Sequence, residues 1–257
     1  MNENLSAIHI ARQLQEKGLL YFSPAVLSAL LSIETQEAYQ AVARLRHAGL
    51  AAEVEKGKYI LLGLEPERVL SNPLFVASHL VMPAYISYWS ALHFHGFTTQ
   101  APQTIFCATT KKKRPVTFAG QNFRYITLKP RKFFGYRREL IGELPVLVAD
   151  EAKTIVDCLD QPRYAGGIAE IAQTLRQALS VLDLELLVDY AHQMQDKSLA
   201  SRLGYLLELC GHHVEGLPVS DSPVALEPSR PRLGKLNSKW HIVVNISVDE
   251  LMAEGIR

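Results

Sequence analysis

Thr35-Gln36-Glu37-Ala38-Tyr39-Gln40-Ala41-Val42-Ala43-Arg44-Leu45-Arg46-His47-Ala48-Gly49-Leu50 reads as one amphipathic helix with its stop signal. Ala38, Val42 and Leu45 recur at helical spacing with Ala41 beside them, which defines an inward stripe. Gln36, Gln40, Ala43 and His47 fall on the opposite face, flanked by Tyr39 and Arg44. Thr35 is placed to cap the start, and Gly49-Leu50 ends the helix near Ala48. Upstream, Ser23-Pro24 supplies an N-cap followed by proline at the first helical position. The helix it opens, Ala25 to Leu31, presents Val26, Leu27 and Leu30 and is joined to the next through Ser32-Ile33-Glu34. Further upstream Leu5, Ile8, Ala11 and Leu14 mark a first helix, closed by Lys17-Gly18. Downstream, Ala51–Glu55 and Lys58–Leu62 alternate as two strands of a hairpin turning through Lys56-Gly57.

Three short helices followed by a hairpin is the element order of a winged helix-turn-helix, whose third helix enters the major groove of DNA. Gln pairs bidentately with adenine and Arg with guanine, so Gln36, Gln40 and Arg44, with Tyr39 beside them, are the candidate base readers. Lys56 and Lys58 at the hairpin tip suit phosphates. One feature opposes simple DNA reading: residues 1–67 hold six basic and eight acidic side chains, with Glu53 and Glu55 in the wing itself. Glu37 complements the helix dipole in a first turn. A degenerate winged helix that binds protein instead stays open as an alternative.

The whole chain is nearly neutral, 27 basic residues against 26 acidic, yet Arg68 to Arg138 contains no Asp or Glu. Eleven cations lie in that stretch: Arg68, Lys111, Lys112, Lys113, Arg114, Arg124, Lys129, Arg131, Lys132, Arg137 and Arg138. Charge of one sign gathered in one region gives a local field suited to a polyanion. Lys111 to Arg114, with Lys129, Arg131 and Lys132, is the candidate backbone-tracking surface, supplying the salt-sensitive part of affinity. Hydrophobic residues make up 48% of the chain, enough for real cores, and no apolar run approaches a bilayer span of ~18 residues. The polar, acidic start is not a secretory signal, and three scattered cysteines are not a disulfide framework. These features predict a soluble cytoplasmic protein with no membrane partner.

The fold expected is α+β: a winged helix-turn-helix over residues 1–66, then a mixed α/β C-terminal domain over 67–257. Glu65-Pro66 and Asn72-Pro73 flank the joint. A basic strand-rich part over 74–150 opens with a helix from Pro83 to Leu92 that exposes Tyr85, Tyr88 and Trp89. Its strands are Thr104–Thr109, Val116–Phe118, Arg124–Leu128 and Pro145–Val148. A helical part over 151–211 holds Glu151–Leu159, Gly167–Leu179, Asp183–Met194 and Ser198–Leu209. A tail over 212–257 has its Pro- and Ser-rich part at Gly216 to Asn237, which leads to a final strand at Trp240–Ile246.

Tyr85-Ile86-Ser87-Tyr88-Trp89-Ser90-Ala91-Leu92-His93-Phe94-His95-Gly96 resembles the block that opens the C-terminal domain of AbiEi-type antitoxins. Asp150-Glu151-Ala152-Lys153-Thr154-Ile155-Val156-Asp157-Cys158-Leu159 resembles a later block. Pro162, Gly166-Gly167 and Arg202-Leu203-Gly204-Tyr205 follow in the order that family shows. The resemblance implies the antitoxin half of a type IV toxin–antitoxin pair linked to abortive infection, which represses its own operon by binding double-stranded operator DNA. It further implies a partner toxin resembling a nucleotidyltransferase, and a basic C-terminal surface that helps hold DNA.

Two other chemistries compete. Glu151-Ala152-Lys153 beside Asp150 spells the Glu-x-Lys of metal-dependent nucleases, but it opens a helix, and only Glu139 and Glu143 stand upstream within reach as acids. A cap and helix start accounts for Asp150 and Glu151. His93, His95 and Cys107, or Cys210, His212 and His213, lack a complete four-ligand spacing. No nucleotide-binding glycine loop or recognisable nucleophile occurs. No catalytic residue, metal or cofactor is expected, and the nuclease stays as the runner-up.

Overall fold

The computed structural model describes Ser6–Ala253. At the N-terminus it shows α1 (Ala7–Glu16), β1 (Tyr21–Phe22), α2 (Pro24–Leu31), α3 (Thr35–His47), β2 (Ala51–Glu55) and β3 (Lys58–Leu61). Leu5, expected in the first helix, lies outside the described residues. The inward face of α1 is Ile10, Ala11 and Leu14, which packs towards α3 and β3, whereas Ile8 is exposed. Ser23 caps α2 by accepting the Val26 amide. Thr35 is the first helical residue of α3 and not its cap; Glu34 holds the cap position without a side-chain bond. Strand β1 carries no sequence signal because two residues cannot show a period. It pairs antiparallel with β3, giving the sheet order β1-β3-β2. Leu14, Leu27, Val42, Leu45 and Leu61 fill the space between helices and sheet.

The Pro-marked joint is two short helices, α4 (Pro66–Leu70) and α5 (Pro73–His79). Proline in a first helical turn costs no hydrogen bond, so the same residues that suggest a linker also start helices. Asn72 fixes the second start, accepting from the Phe75 amide at 3.0 Å and donating to the Ile141 carbonyl at 2.7 Å. The boundary expected at residue 66 is a packed one. Ile60 and Leu62 belong to the same buried cluster as Val69, Phe75 and Phe123.

The helix expected over Pro83–Leu92 is a strand followed by a helix, β4 (Ala84–Ile86) and α6 (Tyr88–Phe94). Tyr85 and Ser87 both reach the interior carboxylate of Asp157, which holds this stretch extended within the sheet. Tyr85 and Tyr88 are fully buried, so they form core and no exposed aromatic side. β5 (Thr104–Thr109), β6 (Val116–Phe118), β7 (Gln121–Thr127), β8 (Tyr136–Ile141) and β9 (Leu144–Ala149) complete a six-stranded sheet of order β6-β7-β5-β4-β9-β8. β5 runs parallel to β7, with Thr109 opposite Thr127. β8 escapes sequence reading because Arg137-Arg138-Glu139 breaks the alternation; it is an edge strand, where charge is tolerated.

A second layer follows: α7 (Glu151–Asp160), α8 (Ile168–Ala178), α9 (Leu184–Met194) and α10 (Lys197–Leu209). Their apolar faces meet around Ile155, Leu175, Leu187, Leu203 and Leu206. The tail forms β10 (Val224–Ala225), β11 (Lys235–Asn237), β12 (Ile242–Val244) and α11 (Val248–Met252). Trp240 is not in a strand; its ring covers Gly204 of α10 so closely that a Cβ there would sit 2.3 Å from it. Glu227 reaches from the tail to accept the Ile168 amide at 2.7 Å, capping α8 where Gly167 has no side chain to do so.

Candidate nucleic-acid interface

The exposed side of α3 follows from its buried one. With Ala38, Ala41, Val42 and Leu45 turned inward, Gln36, Tyr39, Gln40, Ala43, Arg44 and His47 are all exposed. Tyr39 shows 58% of its surface to solvent, unusual for an aromatic residue in a helix with a formed core. Arg44 bends back towards the Gln40 carbonyl at 3.4 Å. Arg46, one position further round, lies 3.8 Å from Glu53 and over the Tyr59 ring, so it serves the hairpin.

The acidic residues of the hairpin have internal employment. Glu53 accepts the Gly57 amide at 3.0 Å and closes the turn. Glu55 accepts hydrogen bonds from Lys113 and from the Tyr21 hydroxyl. Burial pulls the Glu55 carboxyl up, but those bonds and the ammonium charge outweigh it and hold the pKa below its ordinary value. Lys56 and Lys58 at the tip are left exposed, their charge not cancelled by ion pairs among the described residues.

The two basic segments of the sheet domain leave the structure side by side. β5 and β7 are parallel, so their carboxyl ends point the same way, and the Leu128 amide donates to the Thr109 carbonyl at 2.8 Å. Thr127 also donates to the Lys111 carbonyl at 3.3 Å. The loop with Lys111, Lys112 and Arg114 and the turn with Lys129 and Arg131 thus form one neighbourhood, and all five side chains are exposed.

Two residues of the expected phosphate-binding set do not belong to it. Lys132 ends a single 3-10 turn over Pro130–Lys132 and points inward, bonded to Asp160 and, at 3.2 Å, to Asp196. Burial would lower its pKa, but the hydrogen bond and charge of Asp160, joined by Asp196, raise it and keep the ammonium charged. Its positive charge is spent inside the protein. Lys113 is tied to Glu55 and Tyr21 with only 9% of its side chain exposed. Neither side chain is presented to an external phosphate.

Arg163 escaped the sequence reading, and Arg124 entered it only as part of the charge count. Both are exposed, and their guanidinium groups lie 4.7 Å and 5.0 Å from the Tyr164 ring centroid. Cation–π contact holds such a group in place without consuming its charge. Pro162-Arg163-Tyr164 offered the signal, but Arg124 is forty residues away and only the fold joins them.

The Glu-x-Lys triplet splits in space. Asp150 caps α7, accepting the Lys153 amide at 2.7 Å, and also accepts the Tyr190 hydroxyl at 2.9 Å. Burial and that bond lift the tyrosine to about 12. Glu151 faces Arg137, which donates to both carboxylate oxygens at 2.7 and 2.8 Å. Arg137's bonds are the main reason the Glu151 pKa is lowered. Lys153 runs the other way into the core. Its ammonium lies 2.5 Å from Asp157 and 4.3 Å from the Phe134 ring centroid, and both charged side chains are fully buried. Tyr85 and Ser87 supply two further bonds to Asp157, at 2.9 and 2.7 Å. A satisfied interior pair of this kind organises a core; neither charge faces an approaching substrate.

Nor do the suspected metal ligands converge. His95 donates to the Ala149 carbonyl at 2.8 Å and stacks on Phe97, while Cys107 is buried within β5. Among the described residues, no group of three or more His, Cys, Asp or Glu side chains is placed to hold a metal. Among them too, no helix is long and apolar enough to cross a membrane.

No curated protein matches the chain. A family model does. Residues 85–209, from β4 to the end of α10, match the AbiEi antitoxin C-terminal domain. The match takes in Tyr85, Ser87, Lys153 and Asp157, so the buried network joins the two sequence blocks quoted above. It ends before the tail that supplies Trp240 to Gly204 and Glu227 to α8. Through its sheet and helical layer, the chain carries the C-terminal domain of the AbiEi antitoxins, the family that its own sequence blocks resemble.

Proposed function

We propose that this chain is a DNA-binding repressor of its own operon and the antitoxin of an AbiE-like type IV toxin–antitoxin system. In this reading residues 1–66 are a winged helix-turn-helix, and residues 67–257 add a second DNA-gripping surface. Gln36, Tyr39, Gln40 and Arg44 face bases in the major groove. Lys56, Lys58, Lys111, Lys112, Arg114, Lys129 and Arg131 face phosphates, joined by Arg124 and Arg163. The observation that carries the reading is the distribution of charge. The hairpin acids Glu53 and Glu55 are engaged internally by Gly57, Lys113 and Tyr21, while the cations themselves are exposed.

The partner on this reading is double-stranded operator DNA. The chain acts in the cytoplasm, and its functional partner is a nucleotidyltransferase-like toxin, which need not touch the antitoxin directly. No cofactor takes part and the chain does no catalysis. Support for that comes from Lys153, which is committed to Asp157 in the core.

The test is a mobility-shift titration of the full-length protein on the DNA upstream of its gene, at several salt concentrations. Binding should weaken steeply with salt. Changing Lys111, Lys112 and Arg114 together to Ala should weaken binding to every sequence and reduce the log–log salt slope by about 3. Absence of salt-dependent binding by the unaltered protein would sink the repressor reading. Growth rescue, with the toxin expressed from a foreign promoter, tests the antitoxin half separately.

A further inference from the structure

The run Lys111-Lys112-Lys113-Arg114 contains one residue that behaves unlike its neighbours. Three side chains are exposed, while Lys113 turns under the hairpin of β2 and β3. Its ammonium donates to Glu55 and, at 3.2 Å, to the Tyr21 hydroxyl oxygen, and it sits 5.0 Å from the centroid of that ring. Tyr21 in turn donates to Glu55. The three groups form a closed triangle drawn from β1, β2 and the loop before β6. Glu55 is turned into it by a register shift between Glu53 and Glu55, and such an irregularity commonly re-aims a side chain. Beneath it, Ile60 and Leu62 share the sheet domain's core.

We infer that Lys113 is a positioning residue. With Glu55 and Tyr21 it locks the wing to the sheet domain, so that the wing tip and the Lys111–Arg114 loop present phosphate-binding groups at a fixed spacing. The inference rests on the DNA-binding reading given above. A cation already neutralised by Glu55 releases few counterions from DNA, so it adds little to the salt slope. Its contribution is preorganisation: two surfaces joined rigidly lose less freedom on binding than two that swing.

The experiment uses full-length Lys113→Met, Glu55→Gln and Tyr21→Phe, with the exchange variant Glu55→Lys/Lys113→Glu, on the upstream DNA. Lys113→Met and Glu55→Gln should each lose roughly three- to tenfold in affinity, the scale of one ordered contact, with the salt slope unchanged. Tyr21→Phe, which removes only a hydroxyl, should lose less, and the exchange variant should recover part of the loss. A shallower slope for Lys113→Met, by about one, would make Lys113 a phosphate contact and overturn the inference. Unchanged affinity would overturn it as well. Amide hydrogen exchange of residues 51–62 separates this from failure of DNA binding altogether. Exchange there should quicken in Lys113→Met and slow again in the exchange variant, whether or not DNA is bound. Unaltered exchange means the triangle does not hold the wing, and should Lys113→Met fail to fold, the same readings on Tyr21→Phe decide.

Discussion

The loop at Lys111–Arg114 and the turn at Lys129–Lys132 look alike in sequence, both short, basic and set beside proline. In the fold each divides its charge. Lys111, Lys112 and Arg114 are exposed and Lys113 is latched; Lys129 and Arg131 are exposed and Lys132 is buried between Asp160 and Asp196. The acids that claim the inward lysines come from remote elements, Glu55 from β2, Asp160 from α7 and Asp196 from the cap of α10. A charge run is therefore not one site. Each cluster spends one cation on holding the molecule together and presents the others.

The comparison breaks most visibly at Lys132. Lys132→Ala leaves the buried Asp160 carboxylate and the half-buried Asp196 without their shared cation, and should destabilise the protein by about 3–5 kcal/mol in denaturant unfolding. Lys129→Ala in the neighbouring position should stay within about 0.5 kcal/mol of the unaltered protein. Comparable losses for both would show that the inward and outward lysines are not distinct.

A second contrast sets the proposed base readers against the proposed phosphate grips. Gln40→Ala should cost ~1–3 kcal/mol on the operator and far less on random DNA of equal length, while Lys129→Ala should weaken both alike. Equal losses from Gln40→Ala on the two DNAs would reassign α3 to backbone contact.

The smallest effect expected is that of pH near neutrality. Glu55 and Asp196 are buried in part, which raises their pKa values, but hydrogen bonds and lysine charge outweigh that and leave both lowered. A carboxylate lowered on folding contributes stability that is complete above its unfolded value, near 4, and is lost as pH falls through the folded value. These two carboxylates should therefore add no slope between about pH 6 and 8. Thermal unfolding should begin to weaken on their account only below about pH 4. A loss of stability already at pH 6 would point to a different group.

Helix α3, the hairpin after it and the four long helices of the second layer were legible in the sequence because each is decided locally. Apolar period, caps and turn residues all lie within the element they define. Even the resemblance of the Tyr85 and Asp150 blocks needs only neighbouring residues. The tertiary structure decided the rest. Tyr85-Ile86 became a strand because Asp157, seventy residues on, binds Tyr85 and Ser87. Gly204 carries no side chain where the Trp240 ring closes over it, a fact invisible to helix propensity. Likewise, which lysines stay free to meet a phosphate was settled by carboxylates brought from other elements. Charge counts along a chain record what is available; only packing, by choosing partners, determines what is left unpaired at the surface.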